Sequence, residues 1–231
     1  MFVGTIDVSE SEAAICLIGG GGHAVVIYEA AVLARCEIVG FYDDRQSGAP
    51  MHDHAEWIGP VAEASETPVA PRLLAIGSLS IRRRFIQEFT ANYATVLHPS
   101  SIVSPLASIE YGTFVGAGAI VNPNARVGQH AIINTRSIVE HDCVLGTNVH
   151  LCPGAALGGS VHVGHDTMIG LNASVKPGVH IGNGCTVGAG AVVVTDVPDG
   201  ETVAGVPARP LASRKLRAIA AREEFSKRRA A

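Results

Sequence analysis

Hydrophobic positions recur every six residues from Val103 to Val193 without a break. A second series, four positions after the first, holds small side chains from Ala107 to Val197. Glycine and asparagine are common between the two series, and they tolerate the positive-φ conformations that tight corners need. A helix would require apolar spacing near 3.6 residues, and an exposed strand would alternate throughout. The fixed period therefore predicts a repeat structure with one short strand and one turn per hexapeptide.

This pattern resembles the hexapeptide repeat of left-handed parallel β-helices. In that family three hexapeptides form one triangular coil, so the sixteen repeats counted here imply about five coils, stacked about 4.8 Å apart like neighbouring strands. The handedness follows from the resemblance alone, because ordinary parallel crossovers are right-handed. We expect the aliphatic series to point inward and the small series to fit the crowded turns.

The chain before the repeats alternates apolar strands with helical patterns, which predicts a small, Rossmann-like parallel α/β domain over residues 1–97. Ligands of such sheets bind at the carboxyl ends of the strands. His98-Pro99 marks the predicted hinge into a β-helix at 98–206, and a helical tail follows at 207–231. The predicted N-terminal elements are strands at Ala14–Ile18, Glu37–Tyr42 and Leu73–Ile76, a helix from the Gly19–His23 turn to about Ala34, and a helix over Ile81–Asn92 with a face formed by Arg82–Arg84.

The glycine-rich turn could cradle a phosphate on backbone N–H groups at a helix N-terminus. It lacks the full GxGxxG fingerprint, so glycine could also serve only the geometry of a tight turn. Asp43 could accept a hydrogen bond from a ribose or base, or could simply cap the next turn. Both alternatives remain open from the residues alone.

Composition narrows the classes of partner. Of 231 residues, 47% are hydrophobic and 16% charged, and the net charge of −4 argues against nucleic acid or an anionic membrane as partner. No apolar run is long enough to span a membrane, and the N-terminal residues lack a signal-peptide pattern, which predicts a cytoplasmic protein. The cysteines are scattered and predicted to be reduced packing residues. They are Cys16, Cys36, Cys143, Cys152 and Cys185.

One coil carries candidate chemistry. His141 lies two residues after the inward Val139, and it is followed by Asp142. An outward imidazole on a rigid wall is a good general base, and a carboxylate can fix its tautomer. Adjacent strand residues point oppositely, so contact with Asp142 would need a turn or another subunit.

The remaining histidines of the repeats have structural interpretations. His162 and His180 are one coil apart and are expected to stack as a ladder, while His130 and His165 are predicted to face solvent in turns. Trimeric zinc carbonic anhydrases share the repeat, but they use a His-x₄-His spacing that this sequence lacks. We therefore expect no metal.

Three segments, Asn134–Cys143, Val149–Leu151 and Val203–Ala208, resemble the hexapeptide acyltransferases that include sialic acid O-acetyltransferases and nucleotide-linked 4-amino-sugar N-acetyltransferases. The resemblance implies a homotrimer whose active sites lie between subunits, with the N-terminal domain holding the nucleotide-linked amino sugar. His141 corresponds to the catalytic base and Asp142 to its acid partner. The positions implied in binding are Gly20, Gly22, His23, Asp43, Asp44, Gly77 and Asn134 for the sugar, and His150, Gly158, Gly159, Leu171, Ala189 and Gly190 for acetyl-CoA.

The acceptor is left open in several ways. Relatives that use UDP-sugars commonly carry a lysine shortly after the Gly-His turn, in the pattern GHGK, where this chain has Val25, which leaves room for GDP (as in GDP-perosamine) or dTDP. Sialic acid O-acetylation and an inactive trimeric binding scaffold are the alternatives. The predicted tail helix at 211–229 is basic, and it could be a solvated face or a contact for CoA phosphates.

Overall fold

The N-terminal unit is a small parallel α/β sandwich. The computed structural model describes residues 14–65, 70–89 and 92–211. The unit contains β1 (Ala14–Ile18), α1 (Gly22–Leu33), β2 (Glu37–Tyr42), β3 (Trp57–Gly59), β4 (Arg72–Leu74) and α2 (Leu79–Glu88), with 3-10 helices at Pro50–Asp53 and Val61–Ser65. Its strands pair in parallel in the order β3-β2-β1-β4. Because α1 follows β1 and α2 follows β4, both helix N-termini lie at the carboxyl edge of the sheet.

Two elements differ from their predicted bounds. The strand predicted at 73–76 is β4, which covers Arg72–Leu74. It ends earlier than predicted because strand pairing stops after Leu74 and the chain turns toward Gly77. The helix predicted over 81–92 begins at Leu79, after an extended Ser78, and ends at Glu88. The earlier start brings the first turn of α2 to the edge of the sheet, next to the Gly77 turn.

Two-residue strands recur every six residues from Val96 to Val193, and each strand as far as Ser174–Val175 pairs with the strand eighteen residues later, as Ile120 does with Ile138. At the end of the β-helix Thr186 pairs with Thr202, sixteen residues later. The strands form three walls. Wall 1 holds β5 (Val96–Leu97), β8 (Phe114–Val115), β11 (Ile132–Ile133), β14 (His150–Leu151), β17 (Met168–Ile169), β20 (Thr186–Val187), β22 (Thr202–Ala204) and β23 (Arg209–Pro210). Wall 2 holds β6 (Ile102–Val103), β9 (Ile120–Val121), β12 (Ile138–Val139), β15 (Ala156–Leu157), β18 (Ser174–Val175) and β21 (Val192–Val193). Wall 3 holds β7 (Ser108–Ile109), β10 (Arg126–Val127), β13 (Val144–Leu145), β16 (His162–Val163) and β19 (His180–Ile181).

Both six-residue series pack inside, as the sequence predicts. From Val115 to Val193 the aliphatic residues are buried, and the small residues from Thr113 to Val197 fill the spaces behind them. The corners need left-handed backbone, which glycine and asparagine tolerate best. Every sixth residue has positive φ, namely Gly112, Gly118, Asn124, His130, Arg136, Asp142, Asn148, Gly154, Ser160, Asp166, Asn172, Gly178, Gly184 and Gly190. The expected left-handed parallel β-helix is confirmed.

The α/β unit packs on the outer face of wall 1. Phe114 and Ile132 point outward from this wall, yet both are buried because they join the core formed by α1 and β1. The first strand of the wall, at Val96, lies just before the boundary predicted at residue 98. At the other end, β23 is antiparallel to β22 and lies within the predicted tail. The tail helix predicted from residue 211 falls beyond the described residues, except for Leu211.

Candidate active site

His141 and Asp142 occupy a turn between walls 2 and 3. Asp142 adopts φ 61°, which brings its Oδ2 to 2.8 Å from Nδ1 of His141. The amide of Asn124, one coil earlier, donates to the other carboxylate oxygen at 3.1 Å. The bond from His141, then the one from Asn124, hold the pKa of Asp142 below its usual value. With Nδ1–H donated to the carboxylate, Nε2 is left as a proton acceptor.

The imidazole of His141 lies against the backbone of the next coil. A Cβ at Gly159 would approach its Nε2 and Cε1 to 2.6 Å, so only glycine leaves room for the ring. The N–H of Gly159 donates no hydrogen bond among the described residues. A proton acceptor and a free backbone donor therefore stand side by side at this corner, where 59% of the His141 side chain is exposed. We call the column of turns between walls 2 and 3, which includes His141, Asp142, Gly158 and Gly159, the His141 corner.

A second cluster lies on wall 1, where the α/β unit covers it. His150 projects from β14 and is 8% exposed, with Nε2 3.4 Å from the amide nitrogen of Asn134. The ring of His23, from the first turn of α1, lies 6.4 Å from the His150 ring and 5.8 Å from that of Phe114. Residues predicted from distant parts of the chain thus meet at one site.

Both imidazoles of this cluster are neutral at physiological pH. Burial, and secondly the charge of Arg82, lower the pKa of His23 to about 4. The pKa of His150 falls to about 3 through burial, then through the charges of Arg82 and His23, while the backbone of Gly77 acts in the opposite direction. Neutral rings at this site offer hydrogen bonds without carrying charge.

The predicted sugar-binding turns meet at the carboxyl edge of the N-terminal sheet. Asp43 accepts from the N–H of Gly20 at 2.7 Å and forms an ion pair with Arg45 at 2.8 Å. Burial alone would raise the pKa of Asp43, but its hydrogen bonds with Arg45 and Gly20 bring it below the usual value. Both carboxylate oxygens are thus engaged within the chain, which favours the structural interpretation of Asp43.

At the same edge the carboxylate of Asp44 is bonded within the chain, whereas Gly22 and Gly77 have open space beside them. The carboxylate of Asp44 accepts from the N–H of Val61 at 3.0 Å. A Cβ at Gly22 or at Gly77 would meet nothing within 4 Å, so the space beside both backbones is open.

Apart from His150, which is buried on wall 1, the residues expected to contact acetyl-CoA fall on two corners. Gly158 and Gly159 belong to the His141 corner, where a Cβ at Gly158 would come within 2.6 Å of Pro177. Leu171, Ala189 and Gly190 lie on the corner between walls 1 and 2, where the N–H of Gly190 donates to the carbonyl of Leu171 at 2.7 Å. Leu171 is 48% exposed. Wall 2 separates these two corners.

Several expectations about the remaining side chains can now be judged. His162 and His180 stack with ring centroids 4.5 Å apart, which confirms the ladder. His130 was expected to face solvent, but this prediction is wrong. It is 3% exposed and packs edge-on against Tyr93 at 4.4 Å, because the segment after α2 returns across this turn.

The charged face expected on α2 is divided, because Arg82 is buried at the domain junction while Arg83 and Arg84 stay exposed. Within the described segments, no group of three or more His, Cys, Asp or Glu side chains could hold a metal ion. Among the same residues, no helix is long and apolar enough to cross a bilayer.

Sequence reasoning missed three polar residues that build these sites. Asn124 lies one coil before Asp142, so the eighteen-residue period could have revealed it. Asn148 and Arg82 are joined across 66 positions by a 2.8 Å hydrogen bond. No local pattern signals that contact, because it depends on how the two domains pack.

Comparison with known proteins supports one family. Residues 14–89 match the PglD N-terminal domain, and residues 160–195 match the hexapeptide repeat of succinyl-transferase. The acetyltransferase domain of PglB from Neisseria gonorrhoeae FA1090, in complex with acetyl coenzyme A, is 35% identical with a TM-score of 0.80, over 87% of this chain and 100% of that one.

Two further solved structures share the whole architecture. PerB from Caulobacter crescentus, in complex with CoA and GDP-perosamine, is 34% identical with a TM-score of 0.79, over 87% of this chain and 99% of that one. WeeI from Acinetobacter baumannii AYE is 26% identical with a TM-score of 0.73, over 86% and 100%. The chain belongs to the hexapeptide-repeat acetyltransferases of nucleotide-linked amino sugars.

Proposed function

We propose that this protein transfers acetyl from acetyl-CoA to the 4-amino group of a nucleotide-linked dideoxy sugar, with His141 as general base. The observation that carries the proposal is the His141–Asp142 pair beside Gly159. Asp142 fixes the tautomer through Nδ1 at 2.8 Å, which leaves Nε2 to take a proton from an attacking amine. This arrangement suits direct attack, and it requires no covalent acyl-enzyme.

The thioester of acetyl-CoA supplies an already activated acetyl group. The protein has to orient the amine, remove its proton and stabilise the negative charge that develops on the carbonyl oxygen. His141 provides the base, a contribution of about 10²–10⁴-fold. The free N–H of Gly159 is the donor best placed for the oxygen. Cys143 is buried, and burial raises the pKa of its thiol, so it is no candidate nucleophile.

We infer that one chain does not complete the active site. His141 lies in a turn between walls 2 and 3. His150 lies on wall 1, and Asn134 lies where wall 1 meets wall 2. The outer row of wall 2 is apolar except for Ser174. Its other members are Ile102, Ile120, Ile138, Ala156 and Val192. An apolar solvent-facing wall marks an interface. We infer a homotrimer in which wall 2 packs against a second copy and each active site lies between two copies.

The acceptor is assigned to the N-terminal unit. The open space beside Gly22 and Gly77 lies at the edge of a parallel sheet and at the N-terminus of α1, a position that suits phosphate groups. A structurally similar protein, PerB, was crystallised with GDP-perosamine. This chain has Val25 where UDP-sugar relatives commonly carry lysine, which favours a GDP- or dTDP-linked sugar.

Acetyl-CoA is assigned to the groove between two copies, which is lined by the two corners that flank wall 2. A Cβ at Gly190 would meet nothing within 4 Å, which leaves room for a narrow chain such as pantetheine, and the exposed Leu171 offers apolar contact. The similar PglB domain was crystallised with acetyl coenzyme A. The predicted tail contact with CoA phosphates falls outside the described residues.

The proposal is tested by acetyl-CoA-dependent thiol release with GDP-, UDP- and dTDP-linked 4-amino-4,6-dideoxy sugars, beside CMP-linked and free sialic acid. The variants are His141→Ala and His180→Ala, the second a control at an exposed histidine of wall 3. We expect turnover on one amino sugar, a loss of at least about 10²-fold for His141→Ala, and wild-type rates for the control. Turnover on sialic acid alone, or binding of acetyl-CoA without turnover, would contradict the proposed acceptor or activity.

A further inference from the structure

Arg82 is buried where the two domains meet, although no carboxylate among the described residues forms an ion pair with it. It lies on α2 and is 1% exposed. Burial lowers its pKa to about 10, so it remains charged at neutral pH. A guanidinium removed from water is costly unless its donors are satisfied. The surroundings of Arg82 must therefore hold a fixed arrangement of acceptors.

Those acceptors come from both domains. On the N-terminal side, Nη1 donates to the carbonyls of Ile76 at 3.1 Å and Gly77 at 3.4 Å. On the β-helix side, Nε donates to the side-chain oxygen of Asn148 at 2.8 Å, and Nη2 lies 3.4 Å from its carbonyl. One planar side chain thus joins the Gly77 turn to the β-helix.

Asn148 in turn donates hydrogen bonds from the β-helix, one of them back to the N-terminal unit. Its side-chain nitrogen donates to the carbonyl of Leu79 at 3.1 Å and to Asp166 at 2.7 Å. Arg83 adds a further contact between α2 and the β-helix, an ion pair with Asp166 at 2.9 Å. Asparagine suits this position because the residue has φ 60° and because its amide both accepts and donates.

The two sides of this connection differ in rigidity. Asn148 is fixed by the coil itself, since its N–H donates to Gln129 and the following strand is bonded on both edges. The Gly77 turn begins after Ala75, whose N–H donates to the carbonyl of Ile18 at 2.8 Å, and beyond that bond no strand pairing among the described residues holds it. Loss of Arg82 would therefore release the turn and leave the wall that carries His150 in place.

We propose that Arg82 is a positioning residue for the acceptor: through Asn148 it holds the Gly77 turn, and with it the sugar-binding edge, in register with His150 on wall 1. This inference rests on the proposed function, because it takes the Gly77 edge as the place of the nucleotide sugar. A misplacement of about 1 Å at such an edge can cost up to about 10²-fold in rate. The effect should fall on the nucleotide sugar and spare acetyl-CoA.

Steady-state kinetics with both substrates varied separately test the proposal. The variants are Arg82→Met, Arg82→Lys, Asn148→Ala and the control Arg84→Met, which removes an exposed arginine from the same helix. We expect Arg82→Met and Asn148→Ala to raise KM for the amino sugar about 10-fold or more while KM for acetyl-CoA stays within about 2-fold. Arg82→Lys should be intermediate, because one ammonium cannot span both sets of acceptors.

Hydrogen exchange provides a second readout that needs no substrate. In Arg82→Met, amides of the Gly77 turn and the first turn of α2 should exchange faster, while those of wall 1 keep wild-type protection. Wild-type kinetics in Arg82→Met, or equal losses for both substrates, would overturn the role of Arg82 alone. Absence of turnover by the wild type with every acceptor would instead overturn the proposed function, and this reaction-specific role with it.

Discussion

His141 and Asp142 are neighbours in sequence, yet their side chains meet at 2.8 Å. In a strand they would point to opposite faces. The positive φ of Asp142 turns its carboxylate back toward the imidazole, and the same residue position is left-handed in coil after coil. The pair is therefore a product of the corner geometry that the six-residue repeat imposes.

Asp142→Asn should lower kcat by about 10- to 100-fold, as expected when a base loses the partner that orients it. Asparagine tolerates positive φ, so the turn should remain folded. Asp199→Asn is the matched control, because Asp199 is another exposed acid bonded to an asparagine, Asn183, on a different corner. Equal kcat values for Asp142→Asn and wild type would exclude the carboxylate from the mechanism.

Gly159→Ala should separate activity from stability. Its Cβ would approach His141 Nε2 to 2.6 Å, so the exposed ring must rotate away from the corner. We expect a kcat loss of about 10-fold or more from this misplacement, with the free energy of unfolding changed by less than about 0.5 kcal/mol. Parallel kinetics and denaturant titration measure both. A variant that is fully active would show that the His141 ring does not work from this position.

The repeat could be predicted from sequence because the packing of each hexapeptide depends on residues at fixed, short spacings along the chain. The inward residues, the small residues and the left-handed corners all recur at fixed spacing, so the contact of Asp142 with Asn124 also follows the eighteen-residue coil. Arg82, His130 and Asn148 could not be predicted in this way. Their burial depends on where the α/β unit docks on wall 1, and local spacing carries no information about that contact.

The proposed subunit arrangement gives a third prediction. Ile138→Glu places a charge in the middle of the apolar row of wall 2, and it should dissociate the proposed trimer and abolish transfer, because burying an unpaired charge at an interface is costly. Ile81→Glu alters an exposed isoleucine on α2 and serves as the control. Light scattering reports the assembly. A trimeric, active Ile138→Glu variant would place the interface on another surface.

Acid should destabilise the junction between the domains. Burial, followed by the charge of Arg82, lowers the pKa of His130 to about 4 from a usual 6.5, and His23 behaves alike. A lowered native pKa means that the unfolded chain binds more protons than the native one between these values, so stability is complete above about pH 6.5 and falls as the pH drops toward 4. Each such histidine contributes a slope of up to about 1.4 kcal/mol per pH unit.

His130→Asn tests this origin, because asparagine keeps the left-handed backbone that His130 adopts at φ 56°. The variant loses the ring contacts with Tyr93 and Tyr111, so it should be less stable than wild type at pH 7.5. It should also lose less stability between pH 7.5 and pH 5, since one of the titrating rings is gone. His165→Asn, at an exposed histidine of a turn, is the matched control substitution. Urea unfolding at both pH values measures the two slopes, and an unchanged slope in His130→Asn would assign the acid sensitivity to other groups.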